Sequence, residues 1–152
     1  MTRCGILSTI SLVYDPLGLI SPFLLQGKRI LQGICKDGAH WDNPIPDSVR
    51  MQWMKWREDL GTLAKLKIPC CYKPVDFGDV KSIKLHKFSD ASTSGYGQCS
   101  YLKMVNRKCK IHCMLAIAKF RVTPSKPITV PRLELTAALF LSQERVKVCQ
   151  HT

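Results

Sequence analysis

Acidic side chains are nearly missing from the second half of this chain: between residues 80 and 143 only Asp90 and Glu134 carry a carboxylate. Long apolar runs are missing too. No stretch approaches the roughly 20 residues that a membrane-spanning helix needs, which excludes an integral membrane protein built on such helices and leaves no membrane partner to expect. A cleavable leader is not expected, because Asp15-Pro16 follows the apolar residues 6–14 where small residues would mark a cleavage site. The 8 cysteines contain no Cys-x-x-Cys pair, so the commonest zinc and redox spacings are absent. There is no internal repeat and no low-complexity segment. A content of 45% hydrophobic and 22% charged residues is that of a globular protein and excludes a disordered one.

What is present is positive charge, and it is unevenly spread. The 152 residues carry a net charge of +12. Residues 1–79 hold 10 Lys/Arg against 8 Asp/Glu, whereas residues 80–152 hold 13 against 3. A near-neutral half is thus joined to a strongly basic one. A basic half points to an anionic partner, nucleic acid being the commonest; an ordinary solvated surface is the alternative. Among the cysteines, the tempting cluster is Cys109, His112 and Cys113. It falls in a segment read below as a strand, where four residues span about 13 Å. Cys109 and Cys113 then cannot share a zinc ion, and His112 points to the opposite face. Reduced, mostly buried thiols in an intracellular protein are expected instead.

The periodicity divides the chain near residue 78. Residues 6–14 are apolar and partly β-branched, and Asp15-Pro16-Leu17-Gly18 reads as a turn. Ser21-Pro22 predicts a helix start, with Ser at the N-cap and Pro at the first position. Phe23, Gly27, Ile30 and Ile34 follow at helical spacing, and Lys36-Asp37-Gly38 stops the helix. Asp47 predicts the N-cap of a second helix, whose Val49, Trp53, Trp56 and Leu60 form one apolar stripe; the tryptophans are read as core packing rather than base stacking. Residues 69–78, with two prolines and a glycine, look like a linker. Strands are predicted at 81–90 and 96–104, joined by a turn over 91–95. After the polar connection Asn106-Arg107-Lys108, an alternation of period two begins at Cys109 and runs to Ile117. Three sequential strands with short connections make an antiparallel meander. Thr129 or Val130 then caps a last helix, with Pro131 at its first position.

The two isolated acids need an explanation. Asp90 closes the first predicted strand, after Phe88 and Ser89. Glu134 falls in the first turn of the last helix, with Ala138 and Leu141 on its face. Residues 133–141 are apolar or small except for Glu134 and Thr136, so that helix is expected to be buried by more than one neighbour. A carboxylate so placed costs several kcal/mol unless it is paired, protonated or metal-bound. The helix macrodipole returns only about 0.3–1 kcal/mol. Three explanations stand. Arg132 or Arg121 neutralises Glu134 while Asp90 bonds turn amides; or Asp90 is an aspartic-peptidase carboxylate; or both acids converge on a divalent cation, a hard ion that takes oxygen ligands, with the basic surround holding a phosphate backbone against it.

His86-Lys87-Phe88-Ser89-Asp90-Ala91-Ser92, followed by Gly95-Tyr96-Gly97, resembles the first strand and turn of the ribonuclease H domain in retroelement polyproteins. Arg132-Leu133-Glu134-Leu135-Thr136-Ala137-Ala138 resembles that domain's first helix, which carries its second catalytic acid. With Asp15-Pro16-Leu17-Gly18-Leu19-Ile20-Ser21-Pro22, Trp41-Asp42, Ala118-Lys119-Phe120-Arg121-Val122 and Val130-Pro131-Arg132-Leu133-Glu134-Leu135, essentially the whole chain resembles the BEL/Pao class of retrotransposon polyprotein. Such a region also carries the label Pao retrotransposon peptidase. A retroviral-type peptidase, however, resembles its relatives at an Asp-Thr/Ser-Gly turn, and none occurs here.

The resemblance implies an α+β chain in two parts. Residues 1–78 would be a helical connection between reverse-transcriptase thumb and ribonuclease H. Residues 79–152 would be the N-terminal half of a ribonuclease H-like domain: a three-stranded antiparallel meander plus one buried helix. Asp90 and Glu134 would be catalytic and would ligate Mg2+, two ions in the intact domain, about 3.5–4 Å apart. The substrate would be the RNA strand of an RNA–DNA hybrid, with the remainder of the Pol polyprotein as a further partner. Lys103, Lys119, Arg121 and Arg132 are the candidates for contact with the nucleic-acid backbone. The family's further acids, on a following strand and near its C-terminus, are not matched; Glu144 is the only acid after Glu134. The expectation is an incomplete copy without turnover of its own. The alternatives are a non-enzymatic nucleic-acid-binding module and the aspartic peptidase.

Overall fold

Thr2 starts the first helix. Its hydroxyl accepts from the Gly5 amide at 3.3 Å, an N-cap bond of the usual kind, and α1 runs over Arg3–Leu12. The apolar stretch that the sequence left without an assignment is therefore helical. Ile6 and Ile10, one turn apart, are its buried side chains. A computed structural model describes residues 1–36, 40–69 and 71–143 of the chain. The predicted helix stop at Asp37-Gly38, along with Cys70, Glu144 and Cys149, lies outside the described residues.

Two compact units are present: Met1–Pro16, Ile20–Ile68 and Pro124–Pro127 form one, and Leu17–Leu19, Pro69–Thr123 and Ile128–Thr152 the other. The first is helical. Helix α2 spans Ser21–Lys36 and α3 spans Asp47–Thr62. Both predicted caps are off by one residue. The Phe23 and Leu24 amides bond the Ile20 carbonyl, and the Asp15 carboxylate accepts from the Ile20 amide at 3.0 Å. Asp47 lies inside the first turn of α3, and the Val49 and Arg50 amides bond the Pro46 carbonyl. The apolar stripe behaves as predicted. Trp53 and Trp56 are buried and stack at 4.8 Å. Phe23 stacks on Trp56 at 5.0 Å, and the indole N–H donates to the Phe23 carbonyl at 3.0 Å. Leu24, Ile34 and Ile45 complete this core with Ile6 and Ile10.

Gly27 is what lets α2 approach the indole. A Cβ there would lie 2.8 Å from Trp56 Cζ2, and a flat ring fixed by two stacks and a hydrogen bond cannot yield. Gly33, on the same helix, has open space at that position.

The second unit is the predicted meander. Strands β1 (Val80–Ala91), β2 (Gly95–Asn106) and β3 (Ile111–Val122) pair antiparallel in the order β1-β2-β3. Alternation on β2 is clean: Tyr96, Gln98, Ser100, Leu102, Met104 and Asn106 are all buried. The β2–β3 connection is fastened by Asn106. Its Nδ2 donates to the Phe77 carbonyl at 2.7 Å, and its Oδ1 accepts from the Lys110 amide at 2.7 Å. Cys109 takes a left-handed φ of 60° and belongs to this turn, so the third strand starts two residues later than predicted. The expected linker is not wholly a linker: Phe77 is buried and meets His112 edge-on at 5.9 Å.

Helix α4 (Val130–Gln143) packs on β1 and β2. Its first bonds run from the Arg132 and Leu133 amides to the Thr129 carbonyl. Leu133 and Ala137 are buried against Tyr96, while Leu135 and Leu139 are 64% and 55% exposed. The expectation of burial by several neighbours thus holds for one stripe only. The fold is α+β with an incomplete sheet, as predicted.

The expectation of mostly buried thiols is overturned. Cys4, Cys35, Cys71, Cys109 and Cys113 are exposed, and only Cys99 is half-buried among the described residues. They occupy outer positions on helices, a loop, a turn and the outer strand β3.

Two outcomes follow. Gly27→Ala should lower unfolding stability by about 1–3 kcal/mol in a urea titration, whereas Gly33→Ala should raise it by about 0.5–1 kcal/mol. Burial pushes the Cys99 thiol above its usual range, so its thiolate forms at higher pH. In a timed alkylation read by peptide mass spectrometry, Cys99 should lag Cys113, and the gap should narrow as pH rises.

Candidate functional site

The turn after β1 decides where Asp90 ends up. Ser92, not Asp90, closes that turn. Its hydroxyl accepts from the Ser94 and Gly95 amides at 3.3 and 3.2 Å, and its own amide bonds the Gly95 carbonyl at 2.8 Å. Asp90 stands one residue before the end of β1, opposite Gly97. Glu134 stands early in α4, beside the buried Leu133. Both acids are exposed.

That exposure corrects the sequence argument. Asp90 and Glu134 were expected where an ionised carboxylate is costly. But β1 is an outer strand of the described sheet, and α4 buries a stripe that excludes Glu134. Water already solvates both groups, and neither needs a compensating partner. Neither has one: among the described residues, neither carboxylate makes a hydrogen bond or ion pair. The ion-pair explanation for Glu134 fails on the same ground. The Arg121 guanidinium lies over the Phe140 ring at 4.2 Å instead.

Alternation fixes the faces. Ala91 packs on the Tyr96–Leu133–Ala137 cluster, and Lys87 Nζ donates to the Leu141 carbonyl at 3.0 Å. The odd-numbered residues of β1 therefore face α4. Asp90 shares the other face with Phe88. Asp90 and Glu134 belong to adjoining elements, since α4 packs on β1, but alternation puts Asp90 on the face of β1 away from that helix.

The basic candidates are split by the same rule. Lys119 and Arg121 are two apart on β3, opposite Gln98 and Tyr96, and both are exposed on the α4 side. Arg132 is exposed in the first turn of α4. Lys103 lies elsewhere: it pairs with Lys84 and Cys113 on the opposite face and is half-buried. His112 packs on Phe77, and Cys109 sits in the turn that precedes β3. Sequence reading missed the capping role of Ser92. Its signal was present, because Ser followed by Thr-Ser-Gly is turn chemistry.

A family model described as the Pao retrotransposon-like RNaseH-like domain matches residues 2–152. The chain belongs to that family. This places it in a Pao-type retrotransposon region, and the description names a ribonuclease H-like domain rather than a peptidase. The chain matches no curated protein and no solved structure.

Ribonuclease H-like domains usually use Mg2+. Magnesium takes hard oxygen donors in near-octahedral array, and Asp90 and Glu134 are exposed donors of that kind. Among the described residues of this Pao-type domain, however, no three His, Cys, Asp or Glu gather into a metal-holding group. Two carboxylates are too few for a two-metal centre.

Because both acids are solvated and unpaired, Asp90→Asn and Glu134→Gln should each shift unfolding stability by less than about 0.5 kcal/mol. Ser92→Ala, which strips two turn amides of their acceptor, should cost about 1 kcal/mol. Denaturant titration of the three variants checks both statements.

Proposed function

We propose that the chain is a segment of a retrotransposon Pol polyprotein. Residues 1–78 connect the reverse-transcriptase thumb to ribonuclease H, and residues 79–152 supply the first strands and first helix of the ribonuclease H domain. In the parent polyprotein that domain cleaves the RNA strand of an RNA–DNA hybrid, inside the cell. Membership of the family supports the class. The observation that carries the site is the exposure of Asp90 and Glu134, unpaired among the described residues, in an otherwise basic half.

Magnesium bound by such a domain would supply nucleophile activation and charge stabilisation, and Asp90 and Glu134 would be this chain's oxygen ligands to it. The described residues do not complete its ligand set, so the chain's own work is positioning. Asp90 at the strand end, on the face away from α4, and Glu134 on α4 each offer two oxygens. Lys119, Arg121 and Arg132 neutralise phosphates and set the hybrid's register. Further acids must come from outside the described residues, and the chain alone does not turn over. No helix of the described residues is long and apolar enough to cross a membrane, which fits a nucleic-acid substrate.

A second reading is a nucleic-acid-binding module without metal chemistry, favoured by the lack of a third ligand among the described residues. One experiment separates the two. The chain, and a version extended through further strands, are incubated with an RNA–DNA hybrid and Mg2+. Cleavage is expected from the extended version only, and is expected to vanish with Asp90→Asn. Cleavage by the short chain would refute the positioning role; an extended chain that binds but never cleaves would leave the module. In either case hybrid affinity should fall steeply with salt, and Lys119→Gln and Arg121→Gln should each lower the log–log slope by about 1.

A further inference from the structure

Alternation leaves the face of the sheet away from α4 with aromatic and basic side chains that, apart from Asp90 at its end, the hybrid-cleaving chemistry does not use. Phe88 and Tyr101 stand there with rings edge to face at 6.2 Å, and they remain 56% and 38% exposed. Beside them, His86 is registered opposite Tyr101, and Lys84 is registered directly opposite Lys103. Like charges facing each other across a strand pair are destabilising. Among the described residues neither lysine has an ion pair to relieve this. The one acid on β1 is Asp90, two residues beyond Phe88 and six from Lys84. The face therefore offers two π-surfaces next to an uncompensated cation pair, on a rigid sheet.

That combination selects among partners. A purely apolar partner would desolvate Lys84 and Lys103 without compensation. A chain of bases joined by phosphates fits both parts: bases stack on exposed rings, and phosphates sit between the lysines. Duplex bases are already stacked on each other, so the rings can serve only unpaired ones. We propose that this face binds single-stranded nucleic acid, with bases on Phe88 and Tyr101 and the backbone between Lys84 and Lys103. The inference rests on the nucleic-acid reading above and adds a surface to it. Lys119 and Arg121 lie on the opposite face, whereas Asp90 shares this one, two residues beyond Phe88. The proposal keeps Lys103 as a backbone contact, on a face apart from Lys119 and Arg121.

The test is fluorescence anisotropy of the full chain with labelled oligo-dT and oligo-rU, in EDTA so that metal binding plays no part, beside a labelled RNA–DNA hybrid. Phe88→Ala and Tyr101→Ala should each weaken single-strand binding by about 5- to 150-fold, and Tyr101→Ala, the one farther from Asp90, should leave hybrid binding unchanged. Tyr101→Phe keeps the stacking surface and should bind like the parent. Lys84→Gln with Lys103→Gln should lower the single-strand salt slope by about 1.4. Ultraviolet crosslinking of the unmodified chain to oligo-dT should map to Tyr101 or Phe88 by mass spectrometry, which decides the matter if an alanine variant loses its circular dichroism signature.

Folded alanine variants that bind single strands normally would overturn the proposal, as would crosslinks confined to α4 and β3. So would a concentration-dependent dimer abolished by Phe88→Ala, since the face would then belong to a second copy. Hybrid binding without single-strand binding would sink this inference alone. Loss of both in the unmodified chain would sink the nucleic-acid reading as well.

Discussion

Strand β2 is hydrogen-bonded on both sides, and its alternation organises the second unit. Six side chains from Tyr96 to Asn106 turn inward at every second position, which commits their neighbours on β1 and β3 through the register. A shift of one residue would carry Leu102 and Met104 into water and Tyr101 and Lys103 into the core, so the pairing is strongly specified. From that single constraint follow the face on which α4 lies, the exposure of Asp90, the grouping of Lys119 with Arg121, and the separation of Lys103 from both.

The ends of the sheet are held by short polar devices rather than by more apolar burial. Ser92 satisfies two amides in one turn, and Asn106 ties the other hairpin to the Phe77 carbonyl. Each replaces water bonds that the folded backbone would otherwise lose, at a net gain of about 1 kcal/mol apiece. Their larger effect is geometric. By closing its turn through Ser92, the chain leaves the Asp90 carboxylate free of structural duty. A carboxylate that does not hold a turn together can be changed without loss of fold, a necessary condition for assigning it to chemistry.

The helical unit shows a different economy. Trp56 is fixed by a stack on each side and one N–H bond, and Gly27 provides the only close approach that this geometry permits on α2. An indole held in this way cannot double as a stacking platform for bases. Phe88 and Tyr101 are exposed on the sheet, and Tyr14 and Trp41 in the helical unit.

The amino-acid pattern by itself determined the period changes, and with them the meander and every helix but α1, while motif resemblance pointed to the family: Val49–Trp53–Trp56–Leu60 and the alternation around Ile111 to Ile117 are local repeats that backbone geometry enforces at 3.6 and 2 residues. It also singled out Asp90 and Glu134 by their isolation. Only the tertiary structure decided burial, because burial depends on what lies opposite. A helix apolar on all sides still buries just one stripe when a single sheet faces it, which is why Glu134 is solvated and the argument from desolvation failed. The cysteines were misjudged for the same reason, since a small apolar side chain carries no mark of which face it will occupy. Which basic residues share a surface was likewise settled by register, a property of two strands together that neither contains alone.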